Sequence, residues 1–196
     1  LISLLVFEHL PRIQDSIAQL FQAKIFLSGR LFLDSPRFAD FFDYTHIINN
    51  GRWYSQYPFM HSLLLLPFVL LGIPWILNPL LGSLAVPVMY LLGRELYSER
   101  TGRMAALLAC VTPFLFNLSS EYMNHTSTLL FFLLFMLFFF RTLKGGRWCN
   151  ILLAGLMLGL AANVRALSSL AVAVLILGIW PLTRTSGRNS TTPPTS

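Results

Sequence analysis

The chain is predicted to be all-α, a polytopic helical membrane protein of about five to six spans with interfacial helices in a first outer loop. Three observations predict this. The 196 residues are 55% hydrophobic and only 11% charged, against about 25% charged in a soluble domain. From residue 78 onward, long apolar runs alternate with short polar turns. The basic residues fall in every second turn: Arg94, Arg100 and Arg103, then Arg141, Lys144 and Arg147, then Arg184 and Arg188. Basic loops stay in the cytoplasm, so the turns poor in Lys and Arg face the other side. Those eight residues are more than half of the fourteen basic ones, so the net charge of +6 calls for no nucleic-acid partner.

Leu1–Phe7 is apolar but far short of the ~20 residues a span needs, and reads as the stub of a first helix. Residues 8–78 then form the first outer loop. Within it, residues 12–28 read as an amphipathic interfacial helix, with Asp15, Gln19 and Gln22 on one face. Ile13, Ile17, Leu20 and Phe21 lie on the other face, and Gly29 stops the helix. Residues 30–57 are aromatic and turn-rich, with Asp34-Ser35-Pro36 and Asn49-Asn50-Gly51, and predict a folded loop with short helices. Residues 59–77 are apolar but interrupted by Pro67, Gly72 and Pro74. A full span there would invert every later basic cluster, so the segment is expected to lie in, or dip into, the outer interface.

Asn78-Pro79 predicts a helix start, with Asn as the cap, for a span reaching Tyr97. Further spans are expected at roughly 103–119, 125–141, 148–164 and 166–183. Gly155 and Gly159 form a small-residue pair expected to pack within the chain rather than to drive dimerisation. Cys110 and Cys149 read as small apolar residues, not as a disulfide framework. Residues 1–183 thus form one transmembrane module, followed by a Ser/Thr/Pro-rich tail, 184–196, expected to be disordered. The stub and the tail together suggest a fragment or early-terminated version of a longer chain.

The polar chemistry gathers on the non-cytoplasmic side. Asp15 is a candidate general base, since a carboxylate can take a proton from a sugar hydroxyl or an amine. A solvated acid on an interfacial helix is the plainer alternative. The turn Ser119–Thr126 carries Glu121, Asn124 and His125. Helix capping explains Asn124 but not the acid and the imidazole together. Arg165 stands alone between two apolar segments, where a cation is costly and suggests a function. Its planar fork suits a lipid phosphate, and the alternative is snorkelling at a helix end. Arg52, Tyr57 and Arg12 are further candidates for contacts with the substrate. No Cys or His pattern suggests a metal, and no cofactor is implied.

The order of these pieces resembles the GT-C membrane glycosyltransferases that use polyprenyl-phosphate sugars. The nearest subset is the protein-mannosyltransferase and aminoarabinose-transferase group, with its RgtA/B/C/D-like bacterial relatives. The resemblance covers about residues 8–182. It is carried by Arg12-Ile-Gln-Asp15, by Gln22–Gly29, and by Trp53-Tyr-Ser-Gln-Tyr-Pro58. Tyr90–Tyr97, Arg100-Thr-Gly102, Pro113 and Gly155–Arg165 complete it. The family's first-loop acid pair is represented by Asp15 followed by Ser16, and its second acid by Glu121, Asn124 or His125. The resemblance implies transfer of a sugar from a polyprenyl-phosphate donor to an extracytoplasmic lipid, glycan or protein, at a bacterial inner membrane. Asp15 would then be the base, Arg165 would hold the departing phosphate, and membrane lipids would be partners. An inactive fragment of such an enzyme, or a transporter-like or flippase-like segment, is the alternative expectation.

Overall fold

A computed structural model of the chain describes residues 10–186. The stub at Leu1–Phe7 and the tail beyond Ser186 lie outside the described residues. Among the described residues there are eight α-helices: α1 (Gln14–Leu27), α2 (Met60–Leu70), α3 (Leu77–Leu96), α4 (Glu99–Val111), α5 (Pro113–Ser120), α6 (His125–Leu143), α7 (Trp148–Ala162) and α8 (Ala166–Ser186). Three short strands stand between α1 and α2: β1 (Leu33–Asp34), β2 (Ile47–Asn49) and β3 (Arg52–Ser55).

The residues predicted to share one face of α1 do so, but that face does not look toward water. Gln19 and Gln22 are buried, as is Ser16, and Asp15 is half-buried, while Ile13 is exposed. Gln22 is satisfied through both its amide atoms, and Gln19 through its oxygen, whereas Gln19 Nε2 has no partner among the described residues. Ser62 Oγ donates to Gln19 Oε1 at 2.8 Å, tying α2 to α1. Gln22 donates to the Leu31 carbonyl and accepts from the Ser55 amide, both at 2.9 Å. The apolar face is used as well: Phe21 packs on Trp53, with ring centroids 4.7 Å apart.

The outer loop is a small antiparallel sheet in the order β1-β3-β2, with one turn of 3-10 helix at Ala39–Phe42, rather than a set of short helices. The Asn49-Asn50-Gly51 turn closes the β2–β3 hairpin, and Gly51 takes the positive φ of 91° that the turn requires.

α2 has 11 residues. At ~1.5 Å rise each it reaches about half of a ~30 Å hydrocarbon core. The chain then turns at Gly72, φ 73°, and enters α3. Asn78 lies inside α3 and is not its cap. Its side chain serves another part of the molecule, described below.

Among the described residues two helical stretches are long and apolar enough to cross a membrane, Pro74–Leu96 and His125–Leu143. The span expected at 103–119 is broken: α4 and α5 meet at 59°. Pro113 explains the break. Its ring disfavours helical backbone in the preceding residue, and Thr112 is extended, with φ −75° and ψ 112°. The bent pair counts as a third span if it crosses, whereas α7 and the apolar part of α8 (Ala166–Ile176) are shorter.

α6 packs against α3 and α7, and α3 against α4. The α3–α4 contact is close because it is made of glycines: a Cβ on Gly93 would stand 2.9 Å from the Gly102 Cα. The Gly155/Gly159 pair does not pack within the described chain, since nothing lies within 4 Å of a Cβ built on either. The expected internal contact is made by Gly93 and Gly102 instead, on helices joined by a tight turn. At the same end of the bundle, Glu95 on α3 receives Arg141 Nε at 3.5 Å from α6 and Lys144 Nζ at 3.2 Å from the residue just after it. The first two basic clusters therefore share one end of the bundle.

Candidate active site

The opposite end is built around the turn between α5 and α6. Asn78 donates its side-chain amide to the Glu121 carbonyl and, at 2.8 Å, to the Met123 carbonyl. His61, fully buried on α2, places Nε2 3.0 Å from the Tyr122 carbonyl and Nδ1 3.0 Å from Ser127 Oγ. Tyr122 itself sinks into the core with Ala23, Leu65, Leu77 and Leu81. An irregular turn inside a bundle must satisfy its carbonyls, and here two polar side chains from α2 and α3 do so. Its chemically active side chains are thereby presented on a fixed backbone.

Five of the residues picked out from the sequence meet at this end. Glu121 is buried and accepts from Ser16 Oγ at 3.3 Å, which joins the turn to the first residues of α1. Asn124 donates to the Val164 carbonyl at 3.4 Å, which brings the α7–α8 turn alongside. Arg165 follows directly, and both Arg165 and Asp15 act electrostatically on the His125 ring. The sequence separations are large, so only the bundle brings these groups together.

Asp15 is held from the other side by the hairpin. His46 Nε2 lies 3.1 Å from Asp15 Oδ1. The Tyr57 hydroxyl also donates to Asp15. Burial first, then that hydrogen bond and the charge of Asp15, push the Tyr57 phenol up to about 12, against smaller opposing effects of Gln56 and Arg165. Tyr57 is therefore a protonated donor at neutral pH and not a base. Tyr57 and Gln56 also line one end of a cleft of about 790 Å³ between α1, β3 and α2, with Phe26, Arg30 and Leu63 farther along. A second cleft of about 750 Å³, between α3, α4 and α5, is lined by Val86, Cys110 and Phe116 and holds none of the clustered groups.

Two further predicted residues are exposed. Arg52 lays its guanidinium over the Phe32 ring, 4.4 Å from the centroid, a contact inside the outer loop. Arg12 is exposed just ahead of α1. Conversely, His46, Gln56, Ser16, His61 and Asn78 were not among the site residues the sequence pointed to. The hairpin turn at Asn49–Gly51 was the one signal for His46 and Gln56, because its register sets them opposite each other. Ser16 gave none, since it replaces the second member of the first-loop acid pair of the resembling family. Its hydroxyl instead contacts an acid supplied by the α5–α6 turn.

Among the described residues no carboxylate, Asp15 and Glu121 included, lies within ion-pair distance of Arg165. Asp15 is occupied by His46 and Tyr57, and Glu121 by Ser16. Three helix N-termini converge here: α1 with Asp15 in its first turn, α6 beginning at His125, and α8 beginning just after Arg165. Their partial positive charges add to that of Arg165.

Such a molecule is an integral membrane protein of bundled helices that concentrates at one end an acid, an imidazole and an arginine with no ion-pair partner among the described residues. The family described as dolichyl-phosphate-mannose-protein mannosyltransferase matches residues 54–192, and the chain belongs to it. It is a membrane glycosyltransferase family of the GT-C type. The match takes in Tyr57, Glu121, Asn124, His125 and Arg165, whereas Asp15 and His46 precede it. No curated protein and no solved structure matches the chain.

Proposed function

We propose that this chain carries the catalytic end of a glycosyltransferase that moves a sugar from a polyprenyl-phosphate donor to an extracytoplasmic lipid, glycan or protein. Its place is the plasma membrane, a bacterial inner membrane, with the cluster facing the periplasm or exterior. The observation that carries the reading is Arg165, a cation without an acidic partner among the described residues, set where three helix N-termini meet. A phosphate is the ligand such an environment favours.

In the reaction, Asp15 takes the proton from the acceptor hydroxyl or amine as that atom bonds to the anomeric carbon. The bond between that carbon and the phosphate oxygen breaks, and the electron pair leaves with the lipid phosphate. Arg165 stabilises the phosphate's charge, an electrostatic contribution that is commonly large. His46 and Tyr57 occupy two of the roughly four lone-pair positions of the carboxylate, which leaves others for the acceptor. Glu121 and His125 line the same space and are the second candidates for contacts with the reacting groups.

The test is donor affinity, measured with dolichyl-phosphate mannose on folded protein in detergent. Arg165→Ala is expected to weaken binding strongly. Arg165→Lys is expected to weaken it in part, because an ammonium lacks the planar fork. Unchanged affinity in Arg165→Ala would refute the phosphate role.

A further inference from the structure

The hairpin does more than cover α1. Its register pairs Ile47 with Ser55, so the next opposed pair is His46 and Gln56. The backbone extends the ladder there, since the Gln56 amide donates to the His46 carbonyl at 3.0 Å. Opposed residues on an antiparallel pair place their side chains side by side, and the Gln56 side-chain amide meets His46 Nδ1. His46 holds a left-handed backbone, φ 69°, the one positive value among described residues other than glycine. That conformation is uncommon for a side-chain-bearing residue, and here it accompanies a ring whose two nitrogens are both engaged.

Proton counting then assigns the ring. The Gln56 amide nitrogen is a donor, so Nδ1 must be its acceptor and carry no proton. A neutral imidazole then has its proton on Nε2, and Nε2 faces Asp15 Oδ1 at 3.1 Å. The reverse orientation of the Gln56 amide would require protons on both ring nitrogens. The Tyr57 ring, 5.5 Å from that of His46 between centroids, sends its hydroxyl to the same carboxylate.

We propose that His46 is a positioning residue for Asp15. Gln56 fixes the Nε2–H tautomer, and that N–H holds the carboxylate in a single orientation toward His125 and Arg165. The consequence for activity rests on the reading of Asp15 as base given above, but the tautomer does not. The titratable groups that face His46 are Asp15 from α1 and Tyr57 beyond β3, with His125 and Arg165 behind them.

Two measurements on the full chain in lipid nanodiscs test this. The first is nuclear magnetic resonance of isotope-labelled histidine, with the His46 signals assigned by their loss in His46→Gln. At neutral pH a proton on Nε2 alone is expected, with a signal that shifts in Asp15→Asn. A proton on Nδ1, protons on both nitrogens, or indifference to Asp15→Asn would overturn the proposal whether or not the chain transfers sugar.

The second is transfer from dolichyl-phosphate mannose. His46→Ala is expected to lower kcat by about tenfold or more, the scale of one lost charge-assisted hydrogen bond. KM for the donor should stay near the wild-type value, because His46 orients the carboxylate and does not touch the lipid phosphate. His46→Gln, which keeps an N–H donor, should restore kcat. A wild-type kcat in His46→Ala, or a loss that His46→Gln does not restore, would show a merely structural contact. Absence of transfer by the wild-type chain, together with the expected tautomer, would count against the functional reading and leave the positioning intact.

Discussion

The side-chain amide of Asn124 donates to the carbonyl of Val164 at 3.4 Å, across forty residues of sequence. Through this bond the turn that bears His125 is joined to the turn that bears Arg165. Asn124→Ala removes the donor and leaves a carbonyl near the interior, at a cost of about 1–3 kcal/mol. Asn124→Asp sets a carboxylate against that carbonyl and should cost more. Thermal unfolding in detergent should therefore rank wild type above Ala and Ala above Asp. An Asp variant as stable as wild type would show that the bond does not hold the two turns together.

The Asp15→Asn exchange preserves size and hydrogen bonding but removes the basic carboxylate. Loss of a general base lowers the rate by about 10²–10⁴-fold. Transfer from dolichyl-phosphate mannose should fall by that amount while donor affinity stays near normal. A normal rate in this variant, with transfer abolished in Arg165→Ala, would remove Asp15 from the mechanism.

Tyr57 supplies a pH prediction. Its folded value, about 12, lies above the ordinary 10.0 of an unfolded tyrosine. A raised value in the folded state means that the associated stability is fully present below about pH 10 and is lost as the pH rises toward 12. Ultraviolet titration of tyrosinate, taken as the difference between wild type and Tyr57→Phe, should show its step near the upper value. A step at the lower one would mean that the phenol is neither buried nor bonded to Asp15.

The two ends of the bundle should lie on opposite sides of the membrane. Single cysteines at Ser98 and Ser120, introduced after replacing the exposed Cys110 and Cys149, report this directly. Reagent added from outside should label position 120 and spare position 98. The reverse result would invert the topology while leaving the geometry of the cluster unchanged.

Apolar runs and the placement of Arg and Lys, read from the sequence alone, determined the helical membrane class. They require neither contacts nor register: a run of about twenty apolar residues is a span because lipid offers no other way to satisfy its backbone. The common end of the first two basic clusters was legible for the same reason, and Glu95 joins them in the structure. Pro113, visible as a residue, was not read as a break, because its effect depends on the extended backbone it forces on Thr112. The polar face of α1 was also legible, but its direction was not. Whether Gln19 and Gln22 meet water or Ser62 and Ser55 depends on what the rest of the chain lays against them.

Of the cluster, Asp15, Glu121, Asn124, His125 and Arg165 could be picked out one by one, as polar groups in unexpected surroundings. Tertiary structure alone decided their partners. Among the described residues Arg165 has no carboxylate within ion-pair distance, while Ser16 reaches Glu121 and His46 reaches Asp15. Those pairings depend on how α1, the hairpin and two interhelical turns are superposed in space. A hydrogen bond requires positions correct to a few tenths of an ångström, and sequence periodicity sets only the face on which a residue lies.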